Sequence, residues 1–265
     1  MHIIRFLDTN GWERYGIPAD NGSALILHGN IFGELTTDGA SAHIAKLLAP
    51  IVPSNIFCIG LNYADHALET GAKTPEYPVV FMKPTSALNH PHAVIPIPAC
   101  CTHGLEVDFE AELAVIIGKN ARNVCEDKAL EYVYGYTAAN DISARRWQKY
   151  GGGGQWTRGK SFDGFCPLGP MLVTAEEIPN PQNLKIRSIL NGKIMQDSDT
   201  ANMLFSVARL ISLLSQDTTL LQGTVILTGT PAGVGFIRKP PVFLQPSDNI
   251  VIEIEHIGRL ENLVM

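Results

Sequence analysis

EVDFEAELAVIIGK, residues Glu106–Lys119, is the most informative stretch of this 265-residue chain. Its second half, Leu113–Gly118, is an apolar run of strand length, which is typical of a strand buried on both faces. Its first half carries an acid at every second position, and side chains at i, i+2 and i+4 of a strand share a face. We therefore predict that Asp108, Glu110 and Glu112 point the same way where the strand enters the core.

The acids of this strand predict a metal site. Carboxylates carried into a core repel one another and cost several kcal/mol each unless a cation neutralises them. Oxygen ligands select a hard ion, Mg²⁺ or Mn²⁺ and also Ca²⁺. A third acid, Asp141, follows the strand-like run Val133–Ala139 and opens a predicted helical turn. Glu110, Glu112 and Asp141 would leave about three octahedral positions for water and substrate. The alternative is that these acids only line a wet strand edge.

Short apolar runs bounded by glycine or proline predict that strands make up most of the chain. Besides the central run they are Ile3–Leu7, Ser23–His28, Ile56–Leu61, Val79–Met82, Lys185–Leu190, Lys193–Gln196 and Val225–Thr228. The dipeptide Asn191-Gly192 between two of them predicts a tight hairpin turn. Because the helices are few and do not alternate regularly with strands, we predict an α+β fold that is predominantly β.

Two helices and one domain boundary follow from the remaining patterns. A helical apolar period predicts one helix over Phe205–Ser215 and another over Ser41–Ala49, with shorter helical pieces after Asp65 and Asp141. Prolines at positions 50 and 53 then break the chain. The predicted units are a small N-terminal domain, residues 1–52, and a larger domain, residues 53–265.

Composition limits the classes of partner. Lys and Arg number 20 against 26 Asp and Glu, a net charge of −6. With no basic surplus for a phosphate backbone, we expect no nucleic-acid partner. No apolar run approaches the ~18 residues of a membrane span, and MHIIRFLDTN reaches Asp8 before the apolar core of a signal peptide could form. Five cysteines without a CxxC pair agree with reduced thiols. We expect no membrane partner and a cytoplasmic location.

One match to a nucleotide-binding pattern is rejected. GQWTRGKS, Gly154–Ser161, satisfies G-x-x-x-x-G-K-[ST]. That pattern binds phosphate only when a strand precedes the loop and a helix follows it. Here a polar, helix-like stretch, Arg146–Tyr150, precedes the loop, and the glycines and prolines of Phe162–Pro170 exclude a helix after it. We therefore predict no nucleotide site.

Six stretches occur in a fixed order along the chain. They are CIGLNYADHALE (Cys58–Glu69), PVVFMKPTSAL (Pro78–Leu88), EVDFEAELAVIIGK (Glu106–Lys119), GYTAANDISAR (Gly135–Arg145), QWTRGKSFDGFCPLGP (Gln155–Pro170) and LTGTPAGVG (Leu227–Gly235). Together they resemble the fumarylacetoacetate hydrolase family, and most closely its branch of domain-containing proteins and hydroxyheptadienedioate isomerases. The resemblance covers the chain from about Ile56 onwards, and residues 1–50 look like the family's variable N-terminal domain.

The resemblance implies a fold, an assembly and a chemistry. The fold is a mixed β-roll, the assembly a homodimer, and the cofactor Mg²⁺ or Mn²⁺ held by two glutamates and an aspartate at the positions of Glu110, Glu112 and Asp141. Members act on 2-oxo or 2,4-dioxo acids through an enolate. Our main prediction is a hydrolase that cleaves a C–C bond in a 2,4-dioxo acid. The alternatives are an isomerase of a 2-hydroxy-dienedioate, a decarboxylase of a 2-oxo acid such as oxaloacetate, and a non-catalytic 2-oxo acid-binding protein.

The resemblance also implies three catalytic residues. His66 and Glu69 match a family pair that activates water or moves a proton, and at i, i+3 on a short helix they share a face. Lys160 matches the family lysine of the GKSFD motif, a candidate for stabilising the enolate. Without the family, HxxE would be a surface coincidence and the lysine an ordinary surface residue.

Substrate contacts are implied on helix-like and turn segments. The matching residues are Arg145, Gln148 and Thr230, the last in a turn, Gly229–Gly233, whose N–H groups could hold a substrate carboxylate. Arg146 departs from the family, since many members carry an acid there. Its extra positive charge either favours a dicarboxylate substrate or is simply solvated.

Overall fold

The computed structural model describes residues 1–265. The strands are β1 His2–Asp8, β2 Glu13–Pro18, β3 Ser23–Gly29, β4 Leu35–Thr36, β5 Ser41–Leu48, β6 Ile56–Gly60, β7 Val79–Lys83, β8 Leu88–Asn89, β9 Val107–Asp108, β10 Ala111–Ile117, β11 Val133–Asn140, β12 Ser143–Ala144, β13 Cys166–Thr174, β14 Lys185–Leu190, β15 Lys193–Asp199, β16 Val225–Leu227, β17 Asn249–Ile254 and β18 Gly258–Leu263. The α-helices are α1 Ala64–Thr70, α2 Arg145–Tyr150, α3 Thr157–Lys160 and α4 Val207–Leu214. Short 3₁₀ turns cover Thr85–Ala87, Glu126–Tyr132, Thr200–Asn202 and Gly235–Ile237. Strands hold 39% of the residues and helices 15%, which confirms the predominantly β prediction.

A long mixed sheet forms the body of the fold. Its strand order is β2-β3-β5-β1-β13-β11-β10-β16-β6-β7, and β16 and β6 run parallel. Strand β10 lies in the middle of this sheet, between β11 and β16, and all of its residues are buried. A second sheet, β15-β14-β17-β18, packs across it, and apolar side chains of both sheets share the largest core cluster. The predicted central strand and mixed β-roll are confirmed.

The predicted helix over Ser41–Ala49 is wrong, because this segment is strand β5 between β1 and β3. Its pairing with β1 skips one residue, so that Leu7 faces Lys46 and Asp8 faces Ile44. The extra residue is a β-bulge, which places side chains three apart on one side of a strand. The spacing of Ile44 and Leu47 that imitates a helix comes from this bulge.

Two local predictions are confirmed. The hairpin of β14 and β15 turns at Asn191 and Gly192, whose φ angles of 50° and 78° are those of a primed turn. The helix predicted over Phe205–Ser215 is α4, and the Ser206 hydroxyl caps it by accepting the N–H of Arg209.

The N-terminal strands continue the large sheet. Strand β1 pairs with β13 through His2 opposite Val173 and Ile3 opposite Leu172. Ile3 and Leu172 also share a buried cluster with side chains of the central strands. The division into residues 1–52 and 53–265 stays a prediction.

Candidate active site

Three acids meet where β10 begins and β11 ends. The antiparallel register places Ala111 opposite Asn140, and the N–H of Asp141 donates to the carbonyl of Glu110 at 2.9 Å. One carboxylate oxygen each from Glu110, Glu112 and Asp141 lies within 4.8 Å of the others, and all three residues are buried. The wet strand edge considered from the sequence is therefore wrong.

The electrostatics of these acids fit a divalent cation. Burial raises the pKa of Glu112, and the charges of Asp141 and Glu110 raise it further, well above the usual range. Burial acts the same way on Glu110, but Lys160 and Arg145 outweigh it and lower the pKa of Glu110 to about 2. A cation among the three oxygens would relieve the cost of ionising Glu112. Three protein oxygens suit the octahedral shell of Mg²⁺ or Mn²⁺ better than the six to eight ligands that Ca²⁺ takes.

Two buried lysines bind the same acids. Lys160 Nζ donates to Glu110 Oε2 at 2.6 Å and to Asp141 Oδ2 at 2.7 Å. Burial alone would lower the pKa of Lys160, but these two acids outweigh it and raise that pKa. Lys83 Nζ lies 2.6 Å from Asp141 Oδ1 and donates to three backbone carbonyls, those of Ile142, Lys160 and Phe165.

Sequence reasoning missed Lys83. The available clue was its place two residues after Phe81 in β7, on the buried face of that strand. In the structure Lys83 holds Asp141 from the side away from Lys160 and ties down the backbone around it.

We expect Lys83→Met to destabilise the fold by about 3–5 kcal/mol, because it leaves the Asp141 carboxylate and three buried carbonyls without a partner. Urea unfolding measures this change. Lys128→Met is the matched control, since it breaks an exposed pair with Glu131 and should cost about 1 kcal/mol or less. Equal losses in the two variants would contradict the role given to Lys83.

His66 and Glu69 form a fixed pair on α1. Nδ1 of His66 lies 2.8 Å from Glu69 Oε1, and the Glu69 carboxylate also accepts the N–H of Gly233 at 3.0 Å. A carboxylate on Nδ1 favours the tautomer that carries its proton there. Nε2 is then left as a base, and His66 is one of the residues that line the cavity beside the acids.

Arg145 and Gln148 lie on one face of α2. Arg145 donates from Nε to Asp108 Oδ2 at 2.8 Å, and its NH2 atom lies 2.7 Å from Glu110 Oε1. Its NH1 donates to Gln148 Oε1 at 3.0 Å, which fixes the amide and leaves the Gln148 NH₂ group for a ligand. Asp108 also accepts the N–H groups of Gly235 and Phe236, so it orients Arg145 rather than joining the three acids.

The turn Gly229–Gly233 binds two carboxylates of the chain itself. The N–H of Gly229 donates to Glu112 Oε2 at 2.7 Å, and the N–H of Gly233 donates to the Glu69 carboxylate. These two N–H groups hold the chain's own carboxylates, and a substrate contact through the rest of the turn stays a prediction. Thr230 accepts from Gln196 Nε2 at 2.7 Å, so its hydroxyl proton is free to donate into the cavity. Gln196 was not predicted, because only the fold brings β15 to this turn.

The cavity holds about 160 Å³, less than the ~300–1,000 Å³ of pockets for drug-sized ligands. Seven predicted residues line it, namely His66, Glu110, Glu112, Arg145, Gln148, Lys160 and Thr230. Asp141 and Glu69 lie behind them, bonded to lining residues. Phe81 and Trp156 form one wall, their rings edge to face at 5.6 Å. The cavity thus has room for a small ligand only.

The chain's rejected phosphate-loop match has a different structure. Its glycine run, 151–154, is a turn after α2, and α3 after it is only four residues long. No strand precedes the loop, and Lys160 binds carboxylates.

The family model described as "Fumarylacetoacetate (FAA) hydrolase C-terminal" matches residues 55–265. The chain belongs to the fumarylacetoacetate hydrolase family. A Xenopus laevis protein named as a mitochondrial oxaloacetate tautomerase is 49% identical over 221 residues, which are 83% of this chain and 68% of that protein. No helix of this family member is long and apolar enough to cross a bilayer.

Solved structures of the family match over the full length of the chain. A structure titled 5-carboxymethyl-2-hydroxymuconate delta-isomerase from Mycobacterium smegmatis has a TM-score of 0.86 at 37% identity and covers 100% of this chain and 99% of that one. A fumarylacetoacetate hydrolase from Exiguobacterium antarcticum has a TM-score of 0.87 at 37% identity with the same coverage. The resemblance predicted from the motifs and the fold it implies are confirmed.

The comparisons support the predicted activity and location at a coarser level than the sequence analysis stated them. The chain is a member of an enzyme family that acts on small molecules, but the hydrolase prediction has less support than the isomerase alternative. The Xenopus laevis relative is named as mitochondrial, whereas we predicted a cytoplasmic location for this chain. The homodimer stays a prediction.

Proposed function

We propose that this chain is a Mg²⁺- or Mn²⁺-dependent tautomerase that interconverts the keto and enol forms of a 2-oxo acid such as oxaloacetate. The observation that carries the proposal is the His66–Glu69 pair: Glu69 binds Nδ1 and leaves Nε2 free, and His66 lines the cavity that Glu110 and Glu112 also line. A general base beside a site for a hard cation is sufficient to remove a proton from the carbon next to an oxo group.

The proposed reaction uses the side chains in fixed roles. A cation held by Glu110, Glu112 and Asp141 would act as a Lewis acid on the carboxylate and oxo oxygens of the substrate. His66 Nε2 takes a proton from the carbon next to the oxo group, and the electrons of that C–H bond form the C=C bond of the enol. The same proton then passes to the oxo oxygen, so the atoms balance without water.

Neighbouring groups lower the barrier to proton transfer by stabilising the charges that develop on His66 and on the substrate. Glu69 stabilises the imidazolium that forms on His66. Lys160, Thr230 and the Gln148 amide supply N–H or O–H donors at the cavity wall, where the charge on the oxo oxygen grows. Since these donors are held by the chain's own residues before substrate binds, little reorganisation is needed.

The names of these relatives favour tautomerisation over the hydrolysis that the sequence motifs predict. Hydrolysis of a C–C bond needs an attacking water and a leaving fragment, whereas proton transfer needs only the base. The Xenopus laevis relative is named for oxaloacetate tautomerisation and the Mycobacterium smegmatis structure for an isomerisation. Isomerisation of a hydroxy-dienedioate is the second candidate, because it moves a proton along the same kind of enol.

An assay with separate substrates tests the proposal. With Mg²⁺ or Mn²⁺, we expect the chain to speed the enol-to-keto conversion of oxaloacetate above the rate with metal alone. We expect no comparable cleavage of an acylpyruvate and no matching release of pyruvate. If the acylpyruvate is cleaved faster than oxaloacetate is tautomerised, the chain is a hydrolase. If pyruvate release from oxaloacetate is the main reaction, the chain is a decarboxylase. Tight oxalate binding without turnover of any substrate would identify a binding protein.

A further inference from the structure

Two of the three lysine and arginine side chains that line the cavity are bound to acids of the chain itself. Arg145 is bound to Asp108 and Glu110, and Lys160 is bound to Glu110 and Asp141. Both cations compensate buried carboxylates. Neither has a charge left over for an anionic group at the outer end of a substrate.

Lys149 is different. It lines the same cavity, is exposed, and has no acid within ion-pair distance. Its Nζ lies 4.9 Å from the centre of the Phe236 ring. The guanidinium of Arg145 lies 4.3 Å from the same ring, and Asp108 holds Phe236 by accepting its N–H. A cation over an aromatic face is weakly held, which leaves its N–H donors available.

The position of Lys149 on α2 sets its distance from the three acids. It follows Arg145 by four residues, so the two side chains lie on one face of the helix about 6 Å apart along its axis. Arg145 contacts Glu110, at the inner end of the cavity. Lys149 therefore lies one helical turn further out, beyond the place where a 2-oxo acid group would sit.

Arg146, the basic residue that departs from the family pattern, does not lie in this cavity. It is exposed, its guanidinium lies 6.0 Å from the Tyr150 ring, and it lines two other surface depressions with His103, one of which Lys149 also lines. The dicarboxylate preference suggested for Arg146 from the sequence is better placed on Lys149.

We propose that Lys149 selects substrates with a second carboxylate by binding that group at the mouth of the cavity. The inference rests on the proposed function in one respect, that the acid group at the inner end is a 2-oxo acid. It assigns the chain to short dicarboxylates rather than to monocarboxylic 2-oxo acids. Lys149 is a specificity residue and takes no part in proton transfer.

Binding of two non-reacting 2-hydroxy acids tests this inference. Malate and lactate share the end that would face the metal, but only malate carries a second carboxylate. By calorimetric titration of the Mg²⁺-loaded chain, we expect malate to bind about tenfold tighter than lactate. Lys149→Met should remove this difference and leave lactate binding unchanged, and Lys149→Arg should keep most of it. In the assay, Lys149→Met should raise KM for oxaloacetate about tenfold with little change in kcat.

Lys119→Met is the matched control, because Lys119 also lies over an aromatic ring, at 4.5 Å from Tyr132, but outside the cavity. This control should bind both acids as the unchanged chain does. Equal malate binding by Lys149→Met and the unchanged chain would overturn the inference even if tautomerisation is found. A malate preference that depends on Lys149, in a chain without tautomerase activity, would support the inference and refute the proposed function.

Discussion

Glu112→Gln should abolish catalysis while making the metal-free protein more stable. Glu112 is fully buried beside two other acids, and the raised pKa shows that its charged form is disfavoured in the folded chain. Above its unfolded pKa, the wild-type side chain is therefore a source of instability that a neutral amide of the same shape removes. The same charge is needed to hold the cation. Without the cation, the transition state loses several kcal/mol of stabilisation, which corresponds to at least about a 10³-fold loss of kcat.

Activity and unfolding, each with and without Mn²⁺, test this prediction together. Metal at 100 times its dissociation constant should stabilise the wild-type chain by about 2.7 kcal/mol and the variant much less. Glu131→Gln is the control, because Glu131 is exposed and pairs only with Lys128. Activity of Glu112→Gln within tenfold of the wild type, or equal stabilisation of the two proteins by Mn²⁺, would contradict the role given to Glu112.

His66→Asn should lower kcat by about 10²- to 10⁴-fold, the usual contribution of a positioned general base. The reason is geometric, since His66 lines the cavity and Nε2 is the ring nitrogen that the Glu69 pairing leaves free. Because His66 contacts none of the three acids by hydrogen bond, the stabilisation by Mn²⁺ should not change. This separates loss of the base from loss of the metal.

The comparison variant for this prediction is His256→Asn. His256 is exposed at the turn between β17 and β18, and its φ of 63° suits asparagine. Steady-state rates with oxaloacetate should be unchanged in that variant. Retention of more than a third of the activity by His66→Asn would mean that another group moves the proton.

Local spacing was enough to predict the acids of the site. The period of two along Glu110 and Glu112, and the position of Asp141 after the next strand, follow from how strands place side chains. The burial of β10 followed from its unbroken apolar run. These are properties of one or two neighbouring segments, which a sequence displays directly.

The residues that support the site from distant parts of the chain could not be predicted in the same way. Lys83 comes from the edge strand β7, Gln196 from the second sheet, and Asp108 acts on a turn more than a hundred residues away. Each depends on which segments the fold brings together. The error at β5 has a related cause, because the bulge between Ile44 and Lys46 is defined only by pairing with β1.

Diffraction from crystals soaked with Mn²⁺ and oxalate tests the central claim most directly, since manganese is identified by its anomalous scattering and oxalate resembles the enolate of a 2-oxo acid. We expect one manganese peak within bonding distance of Glu110, Glu112 and Asp141, with oxalate on the ion and His66 Nε2 facing the oxalate. An anomalous map without a peak there, and with the three carboxylates bound only to Lys83, Lys160 and Arg145, would contradict that claim.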